Sequence, residues 1–129
     1  MDDTRRDIHA LIDAFCAGIR TRRETLTDEL WGSGGFLLVG SEAGEVYRTR
    51  PDLAAKFAAI FSRPATLRLA FPDRSVTVSG AVAWVFLEGT LSRIHPDGRI
   101  EPTVYLASCV FKREDGVWRW RQFFGSEPS

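Results

Sequence analysis

The chain has 129 residues, 44% of them hydrophobic, with 17 basic residues set against 17 acidic ones. That length suits a single domain over residues 1–129, burying roughly two-thirds of its unfolded surface without disulfide or metal staples. Zero net charge leaves no electrostatic footprint for nucleic acid or an anionic membrane. The longest apolar run, Ala81 to Leu87, is too short to cross a bilayer, and the acidic start Met1-Asp2-Asp3 lacks the pattern of a signal peptide. A cytoplasmic location is therefore expected. Cys16 falls in a helical pattern and Cys109 in a strand pattern, which reads as two buried thiols and not a disulfide. Neither His9 nor His95 sits in an HExxH or paired His–carboxylate spacing, and no CxxC occurs, so no metal site is expected. Gly32-Ser33-Gly34-Gly35 lacks the lysine and spacing of a phosphate-binding loop, and no cofactor is expected.

Thr4 with Asp7 three residues later makes a capping-box-like helix start, after which Ile8, Leu11, Ile12, Phe15 and Ile19 recur at helical spacing. A polar stretch leads to a shorter helix from Glu24 to Trp31, ended by the glycines from Gly32. Phe36–Val39 and Glu45–Arg48 read as short strands. Thr49-Arg50-Pro51-Asp52 opens a third helix with Pro in its first turn, Leu53, Phe57, Ile60 and Phe61 form its apolar stripe, and Pro64 stops it. From Ala65 the period changes to two. Leu67, Leu69 and Phe71 alternate, Pro72-Asp73-Arg74 interrupts, Val76 and Val78 resume, and strands follow over Ala81–Ile94, Ile100–Arg113 and Val117–Phe124. Ser79-Gly80, Asp97-Gly98 and Asp115-Gly116 separate them, and Asp-Gly is a strong hairpin signal. Helices first and a long antiparallel meander after them is an α+β order, with helices on one face of a curved sheet.

Two-residue turns at each Asp-Gly set a register. Trp84 then faces Phe111 and Trp120; Phe86 faces Cys109 and Gln122; Glu88 faces Ala107 and Phe124; Thr90 faces Tyr105; Phe71 falls beside Glu88. A three-residue loop would turn a strand over. On this register one face is aromatic at one end and polar at the other, the mixture a small-molecule pocket needs. Glu88 among Phe71, Phe86 and Phe124 would be desolvated and able to exchange protons near neutral pH, with Tyr105 and Gln122 as donors to an oxygen. The alternative for Glu88 is a structural ion pair, with Arg48 for example, or a solvated place at the rim. Glu45 is a secondary candidate. The opposite face carries Ala83, Val85, Leu87, Val104, Leu106 and Val110 with Arg119 and Arg121. Helices or a second subunit must cover so much apolar surface.

The order of elements resembles the nuclear transport factor 2-like cone, the superfamily of ketosteroid isomerases and SnoaL-like polyketide cyclases. The resemblance rests on Phe36-Leu37-Leu38-Val39-Gly40, Glu45-Val46-Tyr47-Arg48 and Ser79-Gly80-Ala81-Val82-Ala83-Trp84, and it covers essentially the whole chain. The ending from Trp118 to Ser126 is most similar to the SnoaL-like branch. The resemblance implies a cone-shaped fold in which N-terminal helices pack on a curved, mainly antiparallel sheet. It also implies a pocket between helices and concave face, a homodimer through the sheet, and acid–base chemistry without metal or tightly held cofactor. One departure is Phe124, where the branch often carries a His; another is that the ketosteroid isomerase trio does not map onto this chain by motif.

Two functions follow as expectations. The first is a cofactor-free isomerase, cyclase or dehydratase acting on a small hydrophobic carbonyl compound, with Glu88, Tyr105 and Gln122 catalytic. Its pocket would be lined by Trp31, Tyr47, Phe71, Trp84, Phe86, Thr90, Cys109, Trp120 and Phe124. The second is a ligand-binding or dimerisation module of the same fold without catalysis, which the Phe124 departure favours.

Overall fold

A computed structural model describes residues 3–128. Helices α1 (Thr4–Thr21) and α2 (Leu26–Leu30) precede strands β1 (Leu37–Val39) and β2 (Val46–Tyr47). Helix α3 (Arg50–Phe61) and strands β3 (Thr66–Ser79), β4 (Val82–Ile94), β5 (Ile100–Glu114) and β6 (Val117–Ser126) follow. The strands form one six-stranded sheet in the order β2-β1-β6-β5-β4-β3, antiparallel throughout except where β1 runs parallel to β6. Among the described residues no helix is long and apolar enough to cross a membrane.

Local chemistry accounts for the elements. Thr49 caps α3 by accepting a hydrogen bond from the Asp52 N–H at 3.3 Å, with Pro51 in the first turn. At the start of α1 the cap residue is Asp3, without a side-chain cap, and Thr4 is the first, buried helical residue. The helix ends on Arg22 in the left-handed region (φ 54°). The guanidinium of Arg22 donates to the carbonyls of Phe61, Arg63 and Ala65. It thereby supplies donors to backbone acceptors at the end of α3, where a cation is also electrostatically favoured. Pro72 is accommodated by a bulge between Ala70 and Asp73 on the edge strand β3. Arg74 ties that bulge to α1, donating to Phe71 O at 2.8 Å and Asp13 Oδ1 at 2.6 Å.

The sheet register departs from expectation in two places, the β4–β5 connection and the β5–β6 ladder. Asp115-Gly116 is the expected two-residue turn, both residues at positive φ, and Glu114 pairs with Val117. The β4–β5 connection is longer by one. His95 N–H bonds Arg99 O, Gly98 takes a φ of +89°, and Ile94 pairs with Ile100. That single residue turns β4 over relative to β5. Ala83 therefore faces Phe111, Val85 faces Cys109, and Trp84 faces Val110. A bulge at Val110/Phe111 then absorbs Arg121, so that Cys109 faces Phe123, not Gln122.

Consequently the concave face carries Ala83, Val85, Leu87, Leu91, Tyr105, Ala107, Cys109, Phe111, Trp120 and Phe123, all buried. Ile8, Ile12, Phe15 and Ile19 of α1 complete that core, with Phe15 against Trp120 and Phe123 at centroid distances of 5.5 and 5.1 Å. Trp84, Phe86 and Phe124, expected in the pocket, stand instead on the convex face, 43–47% exposed. Glu88 is exposed on the same face, with Asp73 and Leu106 as strand partners, and has no aromatic enclosure. The aliphatic set expected on the open face is split: Ala83, Val85 and Leu87 are buried, whereas Val104 is 59% exposed. Arg121 is spent within the chain, pairing with Glu114 at 3.1 Å and donating to Gly34 O. Cys16 and Cys109 are free thiols, the first half-buried and the second buried; burial pushes Cys16 up to about 11.

Candidate functional site

The open end of the cone holds a cavity of about 150 Å³. Its depth is apolar: Phe15 and Ile19 come from α1, Phe57 and Ile60 from α3, Leu67 and Leu69 from β3, Leu91 from β4 and Phe123 from β6. Its mouth is charged, with Ser41, Glu42 and Glu45 from the β1–β2 connection, Lys56 on α3, and Arg63, Arg93 and Glu127 around the rim.

Tyr105 is the polar group nearest the apolar depth. It is 7% exposed, its ring lies 6.1 Å from that of Phe71 and 6.4 Å from that of Phe123, and it lines the cavity. Its hydroxyl has no hydrogen-bond partner among the described residues, although buried phenols usually find one. Burial, reinforced by the negative charges of Glu127 and Glu45, pushes the phenol well above its ordinary range, so it stays protonated and is available as a donor. Gly125 makes the position possible. A Cβ there would lie 2.6 Å from Tyr105 Cζ and closer still to the hydroxyl.

Glu45 is held in place by two donors, Lys56 Nζ and the Glu42 N–H at 2.9 Å. Burial works to raise its carboxyl, but those hydrogen bonds and the charges of Lys56 and Arg63 outweigh it and hold the group below the usual carboxylate range. Glu45 is thus an anion at neutral pH. Gly40 leaves the room it fills, since a Cβ at Gly40 would meet Glu45 Oε1 at 2.6 Å. Glu127 accepts from Ser41 Oγ at 2.9 Å, and Arg93 Nη2 stands 3.9 Å from its other oxygen.

Of the residues expected from sequence to form the site, Tyr105 lines the cavity, as does the secondary candidate Glu45. Phe71, Cys109 and Trp120 are buried in the core beneath or beside it, and Phe71 backs the Tyr105 ring. Trp31 packs edge-on against Phe36 at 6.1 Å, away from the lining. Tyr47 is outside the lining, with Lys56 Nζ 5.6 Å from its ring centroid. Glu88, Trp84, Phe86 and Phe124 are on the opposite surface of the sheet; Gln122 shares their face, paired with Val110, and Thr90 pairs with Val104 there, so none of these lines the cavity. Lys56, Arg63, Arg93 and Glu127 were not anticipated. Lys56 lies within α3, Arg63 just after it, Arg93 near the end of β4 and Glu127 just past β6, and only the packing of these elements brings them together.

The cone and its mouth can now be set beside known proteins. The family model described as a SnoaL-like domain matches residues 8–128. The chain belongs to the SnoaL-like domain family. Solved structures similar to this SnoaL-like domain share its fold at low identity. A putative dehydratase of the NTF2-like family from Streptomyces avermitilis superposes with a TM-score of 0.85 at 19% identity, covering 99% of both chains. An NTF2-like superfamily protein from Salmonella enterica serovar Typhimurium gives 0.78 at 18% identity, over 96% of this chain and 90% of that one. A putative calcium/calmodulin-dependent protein kinase II association domain from Xanthomonas campestris gives 0.80 at 18% identity, over 95% and 86%. The comparison with curated proteins found no match.

Proposed function

We propose that this SnoaL-like domain binds a compact, largely apolar molecule in its cone and holds one oxygen of that molecule on the Tyr105 hydroxyl. The carrying observation is that hydroxyl itself: on a residue only 7% exposed, without a protein partner among the described residues, and lining an apolar cavity. A neutral phenol O–H so placed is free to donate its hydrogen bond to a molecule that enters the cavity. An apolar cavity of about 150 Å³ accommodates a benzene-sized ring. Amide shifts in ¹⁵N–¹H spectra during titration with cyclohexanone or phenol test this. Saturable changes around Leu69, Leu91 and Tyr105, abolished by the cavity-filling Leu69→Trp, are the expected result. Equal binding by that variant would place the ligand elsewhere and sink the reading.

A second reading adds catalysis: isomerisation, cyclisation or dehydration of a small carbonyl compound by acid–base chemistry. It is favoured by Tyr105 and Glu45 lining one cavity, a neutral donor and an anionic acceptor, and by likeness to the putative dehydratase from Streptomyces avermitilis. Deuterium uptake α to the carbonyl of cyclohexanone in D₂O, faster than in buffer and lost in Glu45→Gln, would support it. Uptake at the buffer rate leaves binding alone.

The convex face supports a homodimer. Trp84, Phe86, Val104 and Phe124 are large apolar residues exposed together on that face, 43–59% each. Sedimentation at micromolar concentration should give a dimer that Phe86→Glu dissociates, and a monomeric wild type would refute it.

A further inference from the structure

The charged mouth is unevenly satisfied, and the imbalance identifies a ligand class. Resting on the reading that the cone binds a small molecule, we infer that this molecule is a compact carboxylic acid whose carboxylate docks on Arg93. Two of the rim carboxylates are already engaged within the chain. Glu45 takes Lys56 on one oxygen and the Glu42 N–H on the other, and Glu127 takes Ser41. Lys56 is spent on Glu45 and lies over Tyr47. Glu42 is exposed at the lip.

Arg93 differs. It has the same strand parity as Leu91, two residues along β4, and so projects from the concave face, with Leu67 as its neighbour on β3. Both of those leucines line the cavity. Among the described residues its only ionic contact is the loose one to Glu127 at 3.9 Å, and its guanidinium makes no hydrogen bond. An arginine carries five N–H donors in a rigid fork that matches a carboxylate. The side chain is 39% exposed, enough to receive a ligand and shielded enough for charge-assisted hydrogen bonds to count. Arg63, exposed on the other side of the mouth, adds positive charge there without a hydrogen bond or ion pair of its own side chain among the described residues.

A ring seated against Leu69, Leu91 and Phe123 can therefore direct an acid group outward to Arg93 while a second oxygen meets Tyr105. The cavity volume limits the body to about one six-membered ring.

Paired probes of equal shape test the assignment: benzoate against benzamide, and cyclohexanecarboxylate against cyclohexanecarboxamide, titrated by NMR at neutral pH. The acids should bind at least ~10-fold tighter than their amides, with a preference that weakens as salt rises. Arg93→Met should reduce the acid-to-amide ratio to about one, and Arg93→Lys should restore part of it. Thermal melting of each variant would confirm that it is folded. Amides binding as tightly as acids in the cone would overturn the acid assignment and leave the cavity reading standing. Binding of neither probe type would overturn both.

Discussion

Replacing Gly125 with Ala tests the geometry on which the site depends. The added Cβ would stand 2.6 Å from Tyr105 Cζ and 3.1 Å from Cε1, against about 3.5–4.0 Å for relaxed carbon contacts, so the ring must retreat by about 1 Å. The rings of Phe71 and Phe123, with centroids 6.1 and 6.4 Å away, restrict that retreat. Overpacking of this kind costs about 1–3 kcal/mol, which for a domain of this size lowers Tm by roughly 3–12 °C. Tyr105→Phe should behave differently. It deletes the atom closest to Gly125, and no protein hydrogen bond is lost, so stability should change by less than about 0.5 kcal/mol. The double variant should then be more stable than the sum of the single effects predicts, by about 0.5–1.5 kcal/mol. Thermal and urea unfolding of the four proteins measure these quantities. A Gly125→Ala protein that melts with the wild type would refute the placement of Tyr105. A loss of about 2 kcal/mol in Tyr105→Phe would show that the hydroxyl is already paired, because deleting a partnered buried group carries a penalty of that order.

Lys56→Met should destabilise by about 1–3 kcal/mol at pH 7, since it leaves the half-buried Glu45 without its counter-charge. Because the native pair holds Glu45 below its ordinary range, that contribution is full above about pH 4.3 and disappears as pH falls through the lower native value. Unfolding free energies of both proteins from pH 7 to 3 should converge, and a constant gap would contradict the ion-pair account. Gly89→Ala should cost more than a typical surface change, because its Cβ would overlap the Ala70 carbonyl and lie 2.8 Å from the carbonyl carbon at the β3 bulge. A Tm lowered by several degrees is expected, and an unchanged Tm would argue against the bulge. Glu88→Gln, on the exposed face, should alter stability by less than about 0.5 kcal/mol and leave titrations of the cone unchanged. A loss of ligand affinity in that variant would return Glu88 to the site.

The candidate site was partly legible in the sequence. Tyr105 is placed from sequence as a donor beside Thr90 and Glu88; those neighbours change, but its alternation with Cys109 and Phe111 along β5 keeps it on the concave face. Glu88 was misplaced by a different kind of inference. Its assignment to the aromatic face passed through the length of the Asp97-Gly98 loop, and one extra residue there reverses every side chain on β4. Gln122 and Phe124 were lost to the bulge that absorbs Arg121. A bulge leaves no reliable mark in composition, because its cause is here tertiary: Arg121 is drawn to Glu114 and the Gly34 carbonyl. Lys56 and Arg93 have no motif around them. Lys56 is one polar residue on a short helix, and Arg93 lies near the end of a strand.

What the sequence determined by itself is what depends on neighbours along the chain. The apolar spacing of α1, the Thr49 cap with Pro51, the period-two strands and the Asp115-Gly116 turn all express local steric and hydrogen-bonding preferences. Their order was enough to indicate a helix-covered curved sheet. Which face of β4 meets the helices, and which charges ring the mouth of the cone, depends on register and on where α3 comes to rest. Those are set by contacts between residues far apart in sequence, so only the tertiary structure moves the isolated acid from Glu88 to the Glu45–Lys56 pair and puts Arg93 within reach of a ligand.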